Sequence, residues 1–247
     1  MDKIVRINPV LEILRASPNR IYKIMLQKDL RKSQFEEILS IAEEENIPVI
    51  FTPKKKMDDQ ESHHQGVIAF ISPKEFTSLD SILDSSELPF LLILDQIQDP
   101  QNLGAMVRTA EGAGADGIIL PERRSAGLSA AVFTVSAGAL EHIRISRVKN
   151  LARTMDRLRK KEIWLIGAEG GKRKLWYEFD YNVPVGIVMG SEGKGLRRII
   201  KQKCDEVLSL PLKGKVKSLN VASAASVFLY EVVRQRQIKE SKGNLKK

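Results

Sequence analysis

Apolar positions in the first seventy residues follow two periods. After Asn8-Pro9, a capping residue followed by a proline with its φ already set, Val10, Leu11 and Leu14 fall at helical spacing and predict a helix. Ser33 followed by Glu36 has the form of a capping box, and Phe35, Ile38, Leu39 and Ala42 then recur as a second helix. Residues 22–26, 47–51 and 66–71 are short apolar runs that predict strands, and the polar stretch KKKMDDQESHHQ reads as loop from its composition. Residues 1–73 thus form a small α/β module suited to docking. Residues 74–88, rich in Ser and acidic side chains, predict a linker with a short helix around Leu79–Leu83.

The remainder, residues 89–247, is a longer α/β series. The apolar run Phe90–Leu94 stops at Asp95, and a helix is expected over 102–113. A strand at 117–120 and a small-residue helix at 129–140 follow. Asn150 caps a basic amphipathic helix through Leu151, Met155 and Leu158. Strands are expected at 163–168 and Val185–Met189, then the loop 190–195, a short helix to Lys203 and a last strand at 207–210. The closing helix starts near Asn220 and carries Val221, Ala225, Phe228 and Val232 on one face. Continuous apolar strands alternating with helices predict a largely parallel sheet covered on both faces. Ligands of such sheets sit beyond the carboxyl ends of the strands, so the loops after Leu94, Ala168, Met189 and Leu210 are where a site is expected.

Composition narrows the class. A chain of 247 residues with 43% hydrophobic positions can bury real cores, which excludes a disordered protein. One Cys excludes a disulfide scaffold and a Cys-rich zinc module. The charged N-terminus lacks a signal core, and runs such as Phe90–Leu94 are far shorter than the roughly 20 residues that cross a bilayer, so a soluble cytoplasmic protein without a membrane role is expected. The formal net charge of +9 suggests a polyanionic partner, with nucleic acid the first candidate. Basic side chains cluster in loops at Lys54, Lys55 and Lys56, at Lys172, Arg173 and Lys174, and at Lys213, Lys215 and Lys217. The tail adds Arg234, Arg236, Lys239, Lys242, Lys246 and Lys247.

Several motifs could carry chemistry. Gly112-Ala-Gly114-Ala-Asp-Gly117 spells a dinucleotide fingerprint, but its glycines close a helix and precede a strand, where they serve as a cap and turn. Gly190-Ser-Glu-Gly-Lys-Gly195 has the right placement, strand before and helix after. It lacks the Lys-Ser/Thr ending of a P-loop, and Glu192 disfavours a phosphate there; a nucleoside or a cationic ligand fits better. Asn102 can cap its helix, while Arg108, among Met106, Val107 and Ala110, needs an anion or a cleft. Ser218 and Asn220 are two successive candidate caps for one helix, which leaves one side chain free for another partner. Cys204 has no neighbouring His, and His63, His64 and His142 show no metal spacing, so no metal, no cysteine nucleophile and no Ser-His-Asp triad is expected.

Three ordered stretches, Asn102-Leu-Gly-Ala-Met-Val-Arg108-Thr-Ala, Ile187-Val-Met-Gly190-Ser-Glu192-Gly-Lys-Gly195-Leu, and Leu210-Pro-Leu…Ser218-Leu-Asn220-Val-Ala-Ser-Ala-Ala, resemble the motifs of the SpoU (TrmH-type) branch of the SPOUT RNA methyltransferases. The first module, with Ile7-Asn8-Pro9-Val10-Leu11-Glu12 and His64-Gln65-Gly66-Val67-Ile68-Ala69, looks like the L30e-like substrate-binding domain found in many members. The two-domain form is most similar to RlmB-like enzymes, which methylate guanosine ribose in 23S ribosomal RNA.

The resemblance implies an α/β fold: a SPOUT-type parallel sheet with a trefoil knot and S-adenosyl-L-methionine as cofactor, plus the small N-terminal L30e-like domain. It also implies RNA, rRNA first, as partner, and a homodimer whose active site forms near the subunit interface. It further implies methyl transfer to a ribose 2′-hydroxyl. By motif match, Gly190, Leu210, Leu219, Ala168, Gly170 and Ser218 would contact the cofactor, and Asn102, Arg108, Glu192, Ser218 and Asn220 would form the catalytic cluster. Topology rules alone would argue against a knot. A guanidinium stays protonated at neutral pH, so Arg108 is expected to stabilise the developing alkoxide, through an RNA phosphate, rather than to act as base. The basic loop Ala168-Glu-Gly-Gly-Lys-Arg-Lys-Leu-Trp176 is an added departure, read as an RNA contact. Competing readings are a tRNA ribose methyltransferase, a noncatalytic RNA-binding protein on the same fold, and a nicotinamide oxidoreductase, for which the glycine context is wrong.

Overall fold

The computed structural model describes residues 2–171, 174–216 and 218–244. Its first elements are β1 (Asp2–Val5), α1 (Ile7–Ala16), β2 (Ile21–Gln27), α2 (Glu36–Glu44), β3 (Val49–Thr52), α3 (Lys54–Asp58) and β4 (Val67–Ile71). Next come α4 (Leu79–Leu83), β5 (Phe90–Leu94), α5 (Pro100–Gly112), β6 (Gly117–Pro121), α6 (Ala130–Val135) and β7 (Ile145–Val148). The last are α7 (Leu151–Lys160), β8 (Trp164–Ala168), β9 (Val185–Met189), α8 (Arg198–Lys201), β10 (Glu206–Leu208) and α9 (Val221–Asn244). The chain divides into two compact units. One comprises the residues up to Glu75 together with Gly127–His142, and the other comprises Phe76–Ala126 and the residues from Ile143 onward.

In the first unit the strands order as β1-β4-β2-β3, with β2 and β3 parallel and the other pairs antiparallel. Every residue of β4 is buried, as its central place and unbroken apolar sequence require. Helix α1 begins at Ile7, so Asn8 lies inside the first turn rather than capping it; Pro9 is tolerated there because first-turn amides have no helical acceptor. The expected capping box at Ser33 does not form. A 3-10 turn over Lys32–Phe35 leads into α2 and carries Ser33 within it. The polar stretch after Thr52 is not all loop either: α3 forms there and buries Met57 against Ile68 and Phe70. Residues 127–142, which the sequence pattern groups with the second part, join this unit. Arg20 pairs with the buried Glu141, and Lys74 donates to the Glu141 carbonyl at 3.1 Å.

The second unit is a six-stranded sheet in the order β10-β8-β9-β5-β6-β7, parallel at every pairing. Strands β5 and β9, at its centre, are buried at all positions. One face is sealed by α4, α7 and α8 through Ile82, Met155, Leu158 and Ile200, packed on Ile93 and Val188. The other face carries α5 and α9, which pack on each other. Arg236 of α9 donates to the carbonyls of Leu88, Tyr181 and Val183, at 3.1, 3.2 and 2.9 Å, fixing the helix across the start of the sheet. Two short strands, β1 and β7, are absent from the expected elements; both lie at sheet edges.

Candidate functional site

The carboxyl ends of β8, β9 and β10 and the entry to α9 surround a cavity of about 520 Å³. Ala168 and Gly170 reach it after β8, Gly190 and Glu192 after β9, and Leu210 after β10; Ser218 and Leu219 close it before α9. Val221 and Phe228 of α9 add apolar wall that the motifs do not single out. Parallel strands aim their carboxyl ends at one edge, which is why residues over fifty positions apart meet here. Leu212 and Leu219 remain 37% and 46% exposed, an apolar lining open to a ligand.

The loop after β9 is held in one shape by its backbone. Ser191 and Gly195 exchange hydrogen bonds of 3.1 and 2.8 Å, folding the loop back on itself. A Cβ on Gly190 would lie 2.2 Å from the Gly195 carbonyl carbon, so only glycine permits this approach. Leu196 then plugs into the core at 5% exposure. Asp95, fully buried after β5, accepts the Arg197 Nε at 2.8 Å and the Arg197 backbone N–H at 3.1 Å. Glu169 pairs with Lys201 at 2.5 Å, linking the loop after β8 to α8. Neither pair is singled out by the motifs; the signal for the first was an aspartate placed directly after a five-residue apolar strand.

A chain of polar contacts runs along the rim. Asn220 Nδ2 donates to Asn102 Oδ1 at 2.8 Å, and Asn102 Nδ2 donates to Glu192 Oε2 at 2.9 Å. Asn220 Oδ1 accepts the backbone N–H groups of Ala222 at 2.9 Å and Ser223 at 3.2 Å, so Asn220 is the cap and Ser218 is the side chain left toward the cavity. Asn102 does not cap α5: Asp99 does, with Pro100 behind it, and this frees the Asn102 amide for the rim. Arg108 is two turns further along α5 and exposed. It lies outside the cavity, and its side chain has no hydrogen-bond or ion-pair partner among the described residues.

Other titratable groups are structural. His64 is buried, accepts the Gly66 N–H at 2.9 Å and meets Asp58 at 3.1 Å. Burial pushes the Cys204 thiol up to about 12, far from the thiolate a nucleophile needs. Among the described residues no group of three or more His, Cys, Asp or Glu is placed to hold a metal ion, and no helix is long and apolar enough to cross a membrane. Several expected RNA-contacting cations are otherwise engaged: Lys174 pairs with Glu206 at 2.9 Å, Arg234 with Glu231 at 2.7 Å, and Arg236 with carbonyls. Lys172, Arg173, Lys217, Lys246, Lys247 and the side chain of Lys242 lie outside the described residues.

Comparison with known proteins places this architecture. A family model described as the SpoU rRNA Methylase family matches residues 89–230, and one described as RNA 2′-O ribose methyltransferase substrate binding matches residues 7–77. A Bacillus subtilis protein named for the TrmH family of tRNA/rRNA methyltransferases, YacO, is 40% identical over 240 residues, covering 95% of this chain and 96% of that one. The 23S rRNA (guanosine-2′-O-)-methyltransferase RlmB of Pseudomonas putida is 39% identical over 244 residues, 97% of this chain and 98% of its own. The crystal structure of the SpoU methyltransferase AviRb from Streptomyces viridochromogenes, in complex with AdoMet, shares the fold with a TM-score of 0.79 at 24% identity, over 95% of this chain and 90% of that one. A family model spanning more than half of the chain, and relatives this similar along nearly all of it, make the protein a member of the SpoU rRNA methylase family.

Proposed function

We propose that the protein transfers a methyl group from S-adenosyl-L-methionine to a ribose 2′-hydroxyl in structured RNA, at a guanosine of 23S rRNA. The observation that carries this reading is the cavity at the carboxyl ends of β8, β9 and β10, with the Asn220–Asn102–Glu192 chain on its rim. The rRNA guanosine target draws on the name of the Pseudomonas putida relative, and the cofactor on family membership and the AdoMet-bound AviRb structure. An rRNA substrate puts the enzyme in the cytoplasm.

The cavity suits that cofactor. Its apolar lining from Leu210, Leu219 and Phe228 accepts a nucleoside. Glu192 supplies a negative charge where a sulfonium, not a phosphate, would be welcome. When bound, S-adenosylmethionine would supply an electrophilic methyl carbon and leave as S-adenosylhomocysteine, the proton of the ribose hydroxyl passing to solvent, so the proposed transfer calls on no metal. The chain's own part is to hold and orient. Asn102 fixes the Glu192 carboxylate, Asn220 fixes Asn102, and Ser218 offers a hydroxyl to the acceptor. Arg108 meets the RNA and stabilises charge developing on the ribose oxygen.

The exposed position of Arg108, outside its own chain's cavity, supports a homodimer in which α5 and α9 face a second copy. On α9, Val227 and Tyr230 are 38% and 52% exposed, apolar surface that such a face would cover. Residues 1–73, as an L30e-like domain joined by residues 127–142, would dock RNA; residues 74–88, whose α4 packs in the second unit's core, would lead into residues 89–247, which, with the chain passing through a trefoil knot, would carry the chemistry. The match of residues 7–77 to a substrate-binding model supports the first assignment.

Labelled methyl transfer to rRNA and tRNA transcripts tests the proposal. Alkali-stable dinucleotides from rRNA are expected, with transfer lost in Arg108→Ala while folding and cofactor affinity persist. Methylated bases in place of methylated ribose would overturn it. Light scattering of the purified chain should give twice the monomer mass.

A further inference from the structure

We propose that the carboxyl-terminal rim of β6 and β7, continued along the exposed side of α7, is a basic track that holds the phosphate backbone of the RNA. This rests on the RNA-modification reading above. The track lies on the half of the sheet edge opposite the β10-β8-β9 cavity.

Two hollows adjoin there. One, of about 950 Å³, lies between residues 76–79, 146–150 and α7; the other, of about 440 Å³, lies between Gln96, residues 121–124, 149–152 and 197–200. Lys149 and Asn150 line both, so the two form one continuous depression. Eight Arg and Lys residues line it, five of them being Arg123, Arg124, Lys149, Arg153 and Lys160. All five are exposed, and none has a side-chain hydrogen-bond or ion-pair partner among the described residues.

Arg147 and Arg157, which line the larger hollow too, and Arg159 beyond it are engaged. Arg147 donates to the Glu122 carbonyl at 2.9 Å, Arg157 pairs with Asp80, and Arg159 pairs with Asp205 at 2.9 Å. Asp156, the acidic side chain lining the larger hollow, is taken up by Lys203 at 2.6 Å. Five exposed cations without a side-chain partner among the described residues thus share one continuous depression. A run of such cations in an open, shallow depression suits a repeating polyanion, whereas a small anion needs a focused, enclosed site. Phe76, 39% exposed, forms part of the wall with the Arg147 guanidinium 5.3 Å over its ring, a surface on which an unpaired base can stack. The track also reaches the catalytic side. Arg197 lines the smaller hollow, and the loop it anchors lines the cofactor cavity.

The test uses the full chain with Arg124→Gln, Lys149→Gln and Arg153→Gln combined, measuring RNA affinity across salt concentrations beside KM, kcat and cofactor affinity. Loss of three phosphate contacts should lower the slope of log K against log salt by about 2 to 3 and raise KM for RNA by about tenfold or more. Cofactor affinity and the thermal midpoint should stay unchanged, and Arg124→Lys with Arg153→Lys should keep the slope. An unchanged slope in the triple variant overturns the track, whatever the activity of the parent. If the parent binds RNA with a slope the variant loses yet methylates none, the track stands and the methyltransfer reading falls. No RNA binding by the parent sinks both.

Discussion

Asp95 is wholly buried, while the Arg197 side chain that it holds is 42% exposed. The pair therefore fails asymmetrically. Removing Asp95 leaves a guanidinium that can turn to water; removing Arg197 strands a carboxylate in the core, which costs about 3–5 kcal/mol when nothing replaces its partner. Arg197→Ala should thus destabilise the chain more than Asp95→Ala, for which about 1–3 kcal/mol is expected, and the double substitution should be milder than Arg197→Ala alone. Urea denaturation of the three variants checks the order. Equal effects of the single substitutions would show that the burial difference does not govern the loop.

Gly190 and Gly193 sit in the same loop under different constraints. A Cβ on Gly190 would lie 2.2 to 2.3 Å from backbone atoms of Gly195 and Leu196, whereas one on Gly193 meets nothing within 4 Å but must adopt a φ of 77°. Gly190→Ala is expected to open the loop and weaken S-adenosylmethionine binding by about a hundredfold, since backbone cannot yield as a side chain can. Gly193→Ala should cost about 1 kcal/mol of stability and leave binding within a few-fold. Calorimetric titration with the cofactor separates the two.

Asn220 combines two functions that substitution can divide. Its oxygen caps α9, and its amide nitrogen donates to Asn102. Asn220→Asp should keep the cap and the stability, but a carboxylate cannot donate to Asn102 Oδ1, so methyl transfer should fall at least about tenfold. Asn220→Ala should lose activity and also about 1 kcal/mol of stability. Thermal midpoints that fall equally in both variants would contradict this division.

Burial, with the neighbouring charges of Asp205 and Asp95 in support, raises the Cys204 thiol from 9.0 to about 12. In the unfolded chain the proton is lost near the lower value, so between the two the native state holds a proton that the unfolded state has released. The stability this contributes is complete below pH 9 and is lost as pH rises toward 12. Cys204→Ala should therefore lose stability less steeply than the parent over that range. The native thiol should also resist iodoacetamide near pH 9, while the unfolded chain reacts. Rapid alkylation of the folded protein would disprove the assignment.

Much of the second unit is legible in the sequence because its central strands are unbroken apolar runs. Val185–Met189 has the same bounds in pattern and structure, and the Asn150 cap of α7 forms as expected, accepting the Arg153 N–H at 3.0 Å. The edge strands β1 and β7 escape the same reading, although the equally short edges β3 and β10 do not, because Lys3 and Arg147 interrupt their apolar runs. Caps were legible only where no stronger competitor stood nearby. Asp99-Pro100 displaces Asn102 at the start of α5, and the 3-10 turn Lys32–Phe35 displaces the Ser33 box.

The sequence by itself determined most of the strands and helices, that the larger sheet is parallel, and that a cavity is to be sought beyond the carboxyl ends of its strands. These follow from periodicity and burial, which are local properties of the chain. Only the tertiary structure decided that Asn102, Glu192 and Asn220 share one hydrogen-bonded chain, that Arg108 stands apart from them, and which cations are neutralised and which are free. Partners so distant along the chain are chosen by packing, and a side chain's charge matters only through what packing sets beside it.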